Sequence, residues 1–371
     1  MQNRLENVPS IALMGAGPSS VAPSTYYAMS RSTLGHLDPT FIGLMDEIKQ
    51  FLRILMGTRN EVTVPISGTG SAGMETAFVN MVVPGMKVLV LENGVFGNRM
   101  ADVAERLGGI VNKVEWEWGT PVIPADVEKL LSEDKYDIVS IVHAETSTGV
   151  CNPVGEIGEL VAKTGAFYIV DAVTSLGGIP VEVDAWHADV CYSGSQKCLS
   201  CPPGVAPITF SDRAMEHIHG REKKVPNWYL DMNLLTSYWG GSKRTYHHTA
   251  PINMMYALYQ ALYNILDEGV ENVYARHQAA HESLAAGLDK LGLKLLVQPE
   301  YRLPELNAVV VPEGVDEAAL RARLLNEYKI EISSGLGPLA GKIVRIGLMG
   351  YNATEDKVQM LLKAIEECLK A

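Results

Sequence analysis

The sequence predicts an α/β protein with a large domain, built on a mainly parallel sheet between helices, and a smaller C-terminal α/β domain. Strand-like and helix-like patterns alternate over 62–170, which is typical of parallel sheets covered on both faces by helices. A long helical pattern then runs from 252 to about 293 and precedes a second set of strands and helices. We therefore divide the chain into an N-terminal arm (1–25), a large domain (26–265) and a small domain (266–371).

The individual elements follow from local patterns in chain order. Residues 1–25 are polar and then rich in Gly and Pro, so we expect an extended arm. Apolar residues at helical spacing predict a helix over 41–56. In the large domain, further strands are predicted at 62–66, 87–91, 110–116, 137–143, 167–170 and 189–192, and helices at 74–81, 95–107, 124–131 and 154–164. In the small domain, strands are predicted at 295–297, 308–311, 330–333 and 344–348, and helices at 317–327 and 354–369.

The bulk composition favours small-molecule chemistry. The 371 residues are 47% hydrophobic and 20% charged, and the formal net charge is −12. An acidic chain without a long run of Lys or Arg gives little support for binding nucleic acid or an anionic membrane. No apolar segment approaches the roughly 20 residues that cross a bilayer, and the N-terminus does not resemble a secretory signal, so we expect a cytoplasmic protein.

The five cysteines are expected to be reduced thiols, because an odd number spread over a long chain does not form a disulfide framework. Cys198 and Cys201 have C-x-x-C spacing, which is also compatible with redox or metal chemistry. There is no second pair and no histidine at ligand spacing. We therefore favour small residues packed near a pocket and predict no metal site, while a redox role for the pair stays open.

Lys197 ends the segment 193–197 (SGSQK), which directly follows the predicted strand 189–192. In an open α/β sheet, ligands bind at the carboxyl ends of the strands, so this amine is placed to meet a small molecule. Burial favours the neutral amine, which forms a Schiff base with a carbonyl substrate or with pyridoxal phosphate. Most loop lysines are merely solvated charges, so the assignment depends on companion residues.

A second candidate is the small-residue turn 67–73 (SGTGSAG) between a predicted strand and a predicted helix. Glycines let backbone N–H groups approach an anion, and the helix N-terminus adds the positive end of its dipole. Thr69 or Ser71 can also donate a hydroxyl hydrogen bond to phosphate. A plain tight turn explains the pattern equally well, since the Walker lysine and the G-x-G-x-x-G spacing are absent. The turn alone leaves both interpretations open.

Asp171 ends the predicted strand that precedes the strand before Lys197. In the simplest interpretation it caps the next turn. A carboxylate opposite a pyridine nitrogen also keeps that nitrogen protonated, and this is the usual aspartate partner of pyridoxal phosphate. We favour the second interpretation because the two residues follow consecutive strands. Phe96 is a candidate to stack on a cofactor ring, although an isolated aromatic is more often part of a core.

Together, the phosphate turn, the strand-end aspartate and the SGSQK segment resemble fold-type I pyridoxal-phosphate enzymes. More specifically, the chain resembles the class V aminotransferases of the alanine–glyoxylate and serine–pyruvate kind. The similarity covers nearly the whole chain, with motifs at 15–18 (GAGP), 67–73, 145–149 (ETSTG), 171–178, 193–197, 246–249 (YHHT) and 345–347 (RIG). Several long motifs in order are more specific than any one of them.

The resemblance implies a role for each matching residue. Lys197 is the Schiff-base lysine and moves the proton between substrate and cofactor, and Asp171 pairs with the ring nitrogen. Arg345 binds the substrate carboxylate through its planar fork, and Gly17 lies in the segment that lines the substrate space. The other implied cofactor-binding residues are Gly70, Ser71 and Gln196 for the phosphate, Thr146 for the ring hydroxyl, Phe96 for the ring face, and Tyr246 and Thr249 for the phosphate in the neighbouring subunit.

The function that the resemblance implies is amino transfer from alanine or serine to glyoxylate or pyruvate, in a homodimer with shared active sites. Residues 15–18 and 35–38 supply no second arginine for a distal carboxylate, which favours these donors over glutamate. A lyase or desulfurase on the same fold is the nearest alternative, but it needs a loop cysteine in the small domain, where Cys368 lies in a predicted helix. A non-catalytic relative is expected to have lost Lys197 or Asp171, and both are present.

Overall fold

The computed structural model describes residues 3–240 and 244–370, and its largest sheet has seven strands. Their order across the sheet is Val62–Ser67, Val205–Phe210, Val190–Tyr192, Phe167–Asp171, Ile138–Val142, Lys87–Glu92 and Ile110–Glu115. The strands from Val190–Tyr192 to Ile110–Glu115 are parallel neighbours. Val205–Phe210 is antiparallel to both strands beside it. The sheet is therefore mainly parallel, as predicted.

Helices cover both faces of this sheet, and its central strands are buried. Every residue of Ile138–Val142 and of Val205–Phe210 is buried, as is typical of strands that are apolar on both sides. The α-helices of the described residues are Pro23–Met29, Pro39–Leu55, Gly70–Met81, Val95–Arg106, Pro124–Glu133, Val154–Ala162, Asp212–His219, Met232–Trp239, Ile252–Glu268, Val270–Lys290, Glu317–Tyr328 and Glu355–Leu369. Not one of these helices is both long and apolar enough to span a membrane. The predicted α/β fold class is confirmed.

A four-stranded antiparallel sheet lies in the C-terminal part of the chain. Its order is Lys294–Leu295, Leu306–Val310, Ile343–Gly347 and Ser333–Ser334. The helices Val270–Lys290, Glu317–Tyr328 and Glu355–Leu369 pack around a second apolar cluster that includes Leu284, Leu324 and Leu361. This part of the chain carries Arg345 on its strand Ile343–Gly347.

The helical segment predicted from 252 to about 293 is two helices and not one. The break falls at Gly269, which separates Ile252–Glu268 from Val270–Lys290. Gly269 has a φ of 90°, a left-handed conformation that favours glycine. Helical spacing of apolar residues continues on both sides of the break, so periodicity alone does not reveal it.

The N-terminal arm is partly folded, which corrects the expectation of an extended segment. It contains a 3-10 helix, Arg4–Asn7, and a strand, Ala12–Leu13, and the helix Pro23–Met29 begins within it. The strand pairs in parallel with Ile330–Glu331. Backbone pairing therefore ties the arm to the C-terminal part of the chain and fixes the loop that follows the strand.

Candidate active site

Asp171 and Lys197 follow adjacent parallel strands of the large sheet. Asp171 is the last residue of Phe167–Asp171 and lies opposite Tyr192, the last residue of the neighbouring strand. Lys197 comes five residues after Tyr192, so both functional groups lie at the carboxyl edge of the sheet. This edge is where open α/β sheets bind ligands.

The Lys197 side chain is buried and meets the N-terminal loop. Only 7% of the residue is exposed, and Nζ donates a hydrogen bond to the carbonyl oxygen of Ala16. The Ser19 hydroxyl donates to the Lys197 carbonyl at 2.7 Å, which fixes the backbone of the lysine from the same loop. Burial lowers the pKa of Lys197 to about 8, and the positive charge of Arg345 contributes. The neutral, nucleophilic amine is therefore far more populated near neutral pH than it is for an exposed lysine.

Asp171 is a buried carboxylate with one oxygen committed to the backbone. Its Oδ1 accepts the N–H of Val173 at 2.8 Å, so the residue does cap the next turn. Burial raises its pKa to about 6, against the lowering effect of the Val173 N–H. The group is therefore mainly ionised near neutral pH and can face a cation such as a protonated ring nitrogen.

The helix Gly70–Met81 begins beside these two loops. Its cap residue, Thr69, makes no side-chain hydrogen bond to the helix, and the first N–H groups of any helix have no intrahelical acceptor. A Cβ added to Gly70 would lie 3.5 Å from Val173 and 3.6 Å from Gly194. These neighbours follow the Asp171 and Tyr192 strands, so the positive end of the helix dipole lies between the loops that carry Asp171 and Lys197. The first turn includes Ser71, whose side chain is exposed.

Oε1 of Gln196, the residue before Lys197, is buried and has no hydrogen-bond partner within the described ranges. Buried polar groups are nearly always paired with protein or with a bound molecule. A Cβ on Gly194 would lie 2.7 Å from Oε1 of Gln196, so the amide is turned toward the loop that faces the helix start. The free N–H groups at the helix start fit an anionic group, whereas the Gln196 oxygen is an acceptor and requires a donor.

Arg345 is held by two backbone carbonyls. Its Nε donates to Ser334 at 2.8 Å and its Nη1 donates to Thr146 at 3.0 Å. The residue is only 6% exposed, and burial lowers its pKa. No hydrogen bond from Nη2 is formed to any part of the chain that the structure describes, so this donor is available to a carboxylate.

Phe96 lies in the first turn of Val95–Arg106, half-buried against the large core. The guanidinium of Arg99 lies 4.9 Å from its ring centroid. The backbone N–H of Phe96 donates to Oε2 of Glu145 at 3.2 Å, and Glu145 precedes Thr146 in the 145–149 turn. The structure therefore connects Phe96 to the turn that holds Arg345, a contact that the sequence does not reveal.

Tyr246 and Thr249 are exposed. Tyr246 is 54% exposed, its hydroxyl lies 3.4 Å from the hydroxyl of Thr249, and its ring lies 4.8 Å from that of His36. Within residues 3–240 and 244–370 of one chain, no hydrogen bond connects either residue to Lys197 or to Gln196. The structure is that of a single chain, so an active site shared between two subunits stays a prediction.

Glu145 is a site residue to which the sequence analysis gave no role. It is fully buried and lies close enough to Asp171 for the two charges to interact; burial, with a smaller contribution from Asp171, raises its pKa to about 7. The signal was its place in the 145–149 motif. That motif drew attention to Thr146, the residue to which the resemblance assigns a contact with the cofactor.

Together these residues provide a buried lysine, a strand-end carboxylate, a helix N-terminus with free donors and a half-free guanidinium at one sheet edge. These groups fit pyridoxal phosphate: an amine for its aldehyde, a carboxylate for its ring nitrogen and N–H groups for its phosphate. Fold and site thus define a pyridoxal-phosphate enzyme of fold type I.

Comparison with known proteins specifies the family. The sequence matches the aminotransferase class-V family over residues 22–361. It is 39% identical over 367 residues to alanine–glyoxylate aminotransferase of Rattus norvegicus, covering 98% of this chain and 89% of that protein. The crystal structure of an alanine–glyoxylate aminotransferase from Nostoc sp. is similar, with a TM-score of 0.96 at 48% identity over 100% of both chains. The ureidoglycine–glyoxylate aminotransferase of Bacillus subtilis gives 0.96 at 39% identity, covering 98% of this chain and 94% of that one. The chain belongs to the class V aminotransferases and is a pyridoxal-phosphate-dependent transaminase.

Proposed function

We propose that the protein transfers the amino group of alanine or serine to glyoxylate or pyruvate. The observation that carries the proposal is the buried Arg345 guanidinium beside Lys197, which offers one unengaged donor arm to an α-carboxylate. Ala16 and Gly17 pack against the lysine, and we infer that the space beside it suits a short substrate side chain. The relatives whose names include glyoxylate as a substrate support the same acceptor.

Pyridoxal phosphate, when bound, supplies an electron-withdrawing ring that stabilises negative charge at the substrate Cα and accepts the amino group. Lys197 would hold the cofactor through its aldehyde and would move the proton at the substrate Cα. Its lowered pKa of about 8 supports both tasks, because the neutral form is accessible near neutral pH. Asp171 keeps the ring nitrogen protonated.

The remaining residues bind and orient. Gly70 and Ser71 offer N–H groups to the phosphate at the positive end of a helix dipole, and Gln196 contributes its amide. Thr146 would bind the ring hydroxyl, and Phe96 would pack on the ring. Arg345 holds the carboxylate of both substrates in turn, so that the two half-reactions use one orientation of Cα.

The enzyme is proposed to work as a homodimer in the cytoplasm. Tyr246 and Thr249 are exposed polar side chains that lie side by side, which suits contact with the phosphate of the neighbouring subunit. Five free cysteines suit a reducing compartment. The desulfurase alternative is disfavoured because Cys368 is buried in the helix Glu355–Leu369.

A donor panel tests the proposed function. We expect kcat/KM with glyoxylate to be at least about tenfold higher for alanine or serine than for glutamate, roughly 1.4 kcal/mol in transition-state binding. Ureidoglycine and aspartate complete the panel, and sulfide release from cysteine is measured in parallel. Arg345→Lys is the matched variant, because it keeps the charge but loses the fork, and it should raise KM for every donor. A clear preference for glutamate, or sulfide release in place of amino transfer, would overturn the assignment.

A further inference from the structure

Glu145 is a buried carboxylate bound by three donors. It is 0% exposed and ends the two-residue strand Ala144–Glu145, which pairs with Val150–Cys151. Its Oε1 accepts the N–H of Ser147 at 3.0 Å and the hydroxyl of Ser147 at 2.5 Å. Its Oε2 accepts the N–H of Phe96 at 3.2 Å. Both oxygens are therefore engaged, one by its own turn and one by a distant helix.

The helix that begins with Val95 and Phe96 is capped from outside. Its cap residue is Gly94, which has no side chain to offer. The Val95 N–H instead donates to the Ser147 hydroxyl at 3.0 Å, next to the bond from Phe96 to Glu145. A Cβ on Gly94 would overlap the side chains of Glu145 and Ser147. Glycine is required here because the capping groups occupy the space that a side chain would fill.

The other side of the same turn holds Arg345. The Glu145 carbonyl accepts the N–H of Gly149 at 2.8 Å and that of Thr148 at 3.2 Å, which closes the turn. Between these residues, the Thr146 carbonyl accepts Nη1 of Arg345 at 3.0 Å. The Glu145 carboxylate is therefore bonded directly to the Phe96 helix and connected to Arg345 through the turn.

The charges around Glu145 belong to the active site. When Glu145 is ionised, its negative charge partly offsets the lowering of the pKa values of Arg345 and Lys197 by burial, while Asp171 adds to the effect of burial in raising the pKa of Glu145 itself. Burying a carboxylate among other charges is costly, and a helix cap on the surface would serve folding at lower cost. The placement is explained if the carboxylate serves the site.

We propose that Glu145 is a positioning residue, which holds Phe96 against the cofactor ring and the Thr146 carbonyl against Arg345 and so sets the distance between cofactor and substrate carboxylate. The inference rests on the proposed roles of Phe96 and Arg345. It goes beyond them because it assigns both positions to one carboxylate that touches neither cofactor nor substrate.

Glu145→Gln tests this inference, because an amide has one acceptor oxygen and cannot serve both Ser147 and the Phe96 N–H. We expect the dissociation constant for pyridoxal phosphate, titrated into the cofactor-free protein, to rise about tenfold, as for the loss of one charge-assisted hydrogen bond. KM should rise by about the same factor for alanine and for glyoxylate, while kcat changes by less than about threefold. The split between KM and kcat separates positioning from loss of catalysis.

Asp316→Asn is the matched control. Asp316 caps the helix Glu317–Tyr328 in the small sheet region by accepting the N–H groups of Ala318 at 2.9 Å and Ala319 at 3.0 Å. Like Glu145→Gln, the Asp316→Asn substitution removes one carboxylate charge from a helix N-terminus. We expect a small drop in melting temperature with unchanged binding constants.

Ser147→Ala is the second variant, and it replaces Glu145→Gln if that variant does not fold. It removes the acceptor of the Val95 N–H and one donor to Glu145 but leaves the carboxylate in place. We expect the dissociation constant for pyridoxal phosphate and the KM for the substrates each to rise about threefold, as for the loss of a neutral hydrogen bond. Binding constants within twofold of the unaltered protein, in Glu145→Gln or, if that variant is unfolded, in Ser147→Ala, would show that the network only supports the fold. Failure of the proposed function would instead appear in the unaltered protein, as no binding of pyridoxal phosphate or no amino transfer.

Discussion

A Cβ atom on Gly17 would lie 2.6 Å from Nζ of Lys197. Gly17 also has a φ of 101°, a backbone conformation that side chains disfavour. The loop after Ala12–Leu13 therefore approaches the lysine as closely as a glycine permits. Because this strand pairs with Ile330–Glu331, the C-terminal part of the chain helps to fix the space around Lys197.

Gly17→Ala should reduce kcat/KM by at least about tenfold, because the methyl group displaces the lysine from its position in the site. The left-handed backbone adds a strain of roughly 1–2 kcal/mol, so the melting temperature should also fall. Gly43→Ala is the control: a Cβ there meets no atom within 4 Å, and the site lies in the helix Pro39–Leu55. That variant should keep its activity and gain roughly 0.5–1 kcal/mol of stability. Normal kinetics in Gly17→Ala would show that the loop moves aside at no cost.

Asp171→Asn should leave pyridoxal phosphate bound but lower kcat by about a hundredfold or more, because a neutral amide cannot hold the ring nitrogen protonated. Stopped-flow or steady-state rates with alanine and glyoxylate measure this. Asp137→Asn is the control, since Asp137 is exposed at the opposite end of the neighbouring strand Ile138–Val142. Near-normal rates in Asp171→Asn would reduce Asp171 to a cap for the Val173 N–H.

Local patterns were sufficient to place Asp171 and Lys197 at the ends of consecutive strands, because strand and turn signals are short-range. The contact of Arg345 with Thr146 could not be predicted in this way, since the residues lie 199 positions apart. The strand Val205–Phe210 was missed, and it contains Pro207, a residue that argues against a central strand. The helices Asp212–His219 and Met232–Trp239 were also missed.

The N-terminal loop shows the same limit. Its Gly and Pro content predicted an extended arm. The pairing of Ala12–Leu13 with Ile330–Glu331 depends on tertiary contacts, and a two-residue strand has too short a sequence pattern to reveal it. Glu145 belongs to the 145–149 motif, but the motif does not show what its carboxylate contacts. Its role emerges only when its carboxylate is seen to accept the N–H of Phe96, which lies 49 positions away.

Tyr246→Phe with Thr249→Ala should leave a homodimer that releases pyridoxal phosphate faster, because two exposed hydroxyls that we assign to the partner's phosphate are lost. Sedimentation velocity and cofactor dissociation measure the two properties. Tyr263→Phe, at a tyrosine that is 46% exposed, is the control and should change neither. A fully active monomer that retains pyridoxal phosphate would contradict an active site shared between two subunits.

Glu305 should make stability depend on pH. Both of its carboxylate oxygens are buried without a partner in the described ranges, and burial raises its pKa to about 8. The folded protein therefore holds a proton that the unfolded chain releases, so stability falls as pH rises from about 4.5 to 8. Glu305→Gln should raise the melting temperature more at pH 8.5 than at pH 5.5. Glu300→Gln, at an exposed glutamate, should show no such difference. If Glu305→Gln raised the melting temperature equally at both pH values, ionisation of the buried Glu305 would not explain the pH dependence.

The most direct test of Lys197 is to find which residue carries the cofactor. The protein is incubated with pyridoxal phosphate, treated with borohydride to make the C=N bond permanent, digested and mapped by mass spectrometry. We predict a phosphopyridoxyl group on Lys197 alone, and Lys197→Ala should fold, remain unlabelled and show no amino transfer. A label on a different lysine, or amino transfer by Lys197→Ala, would contradict the account.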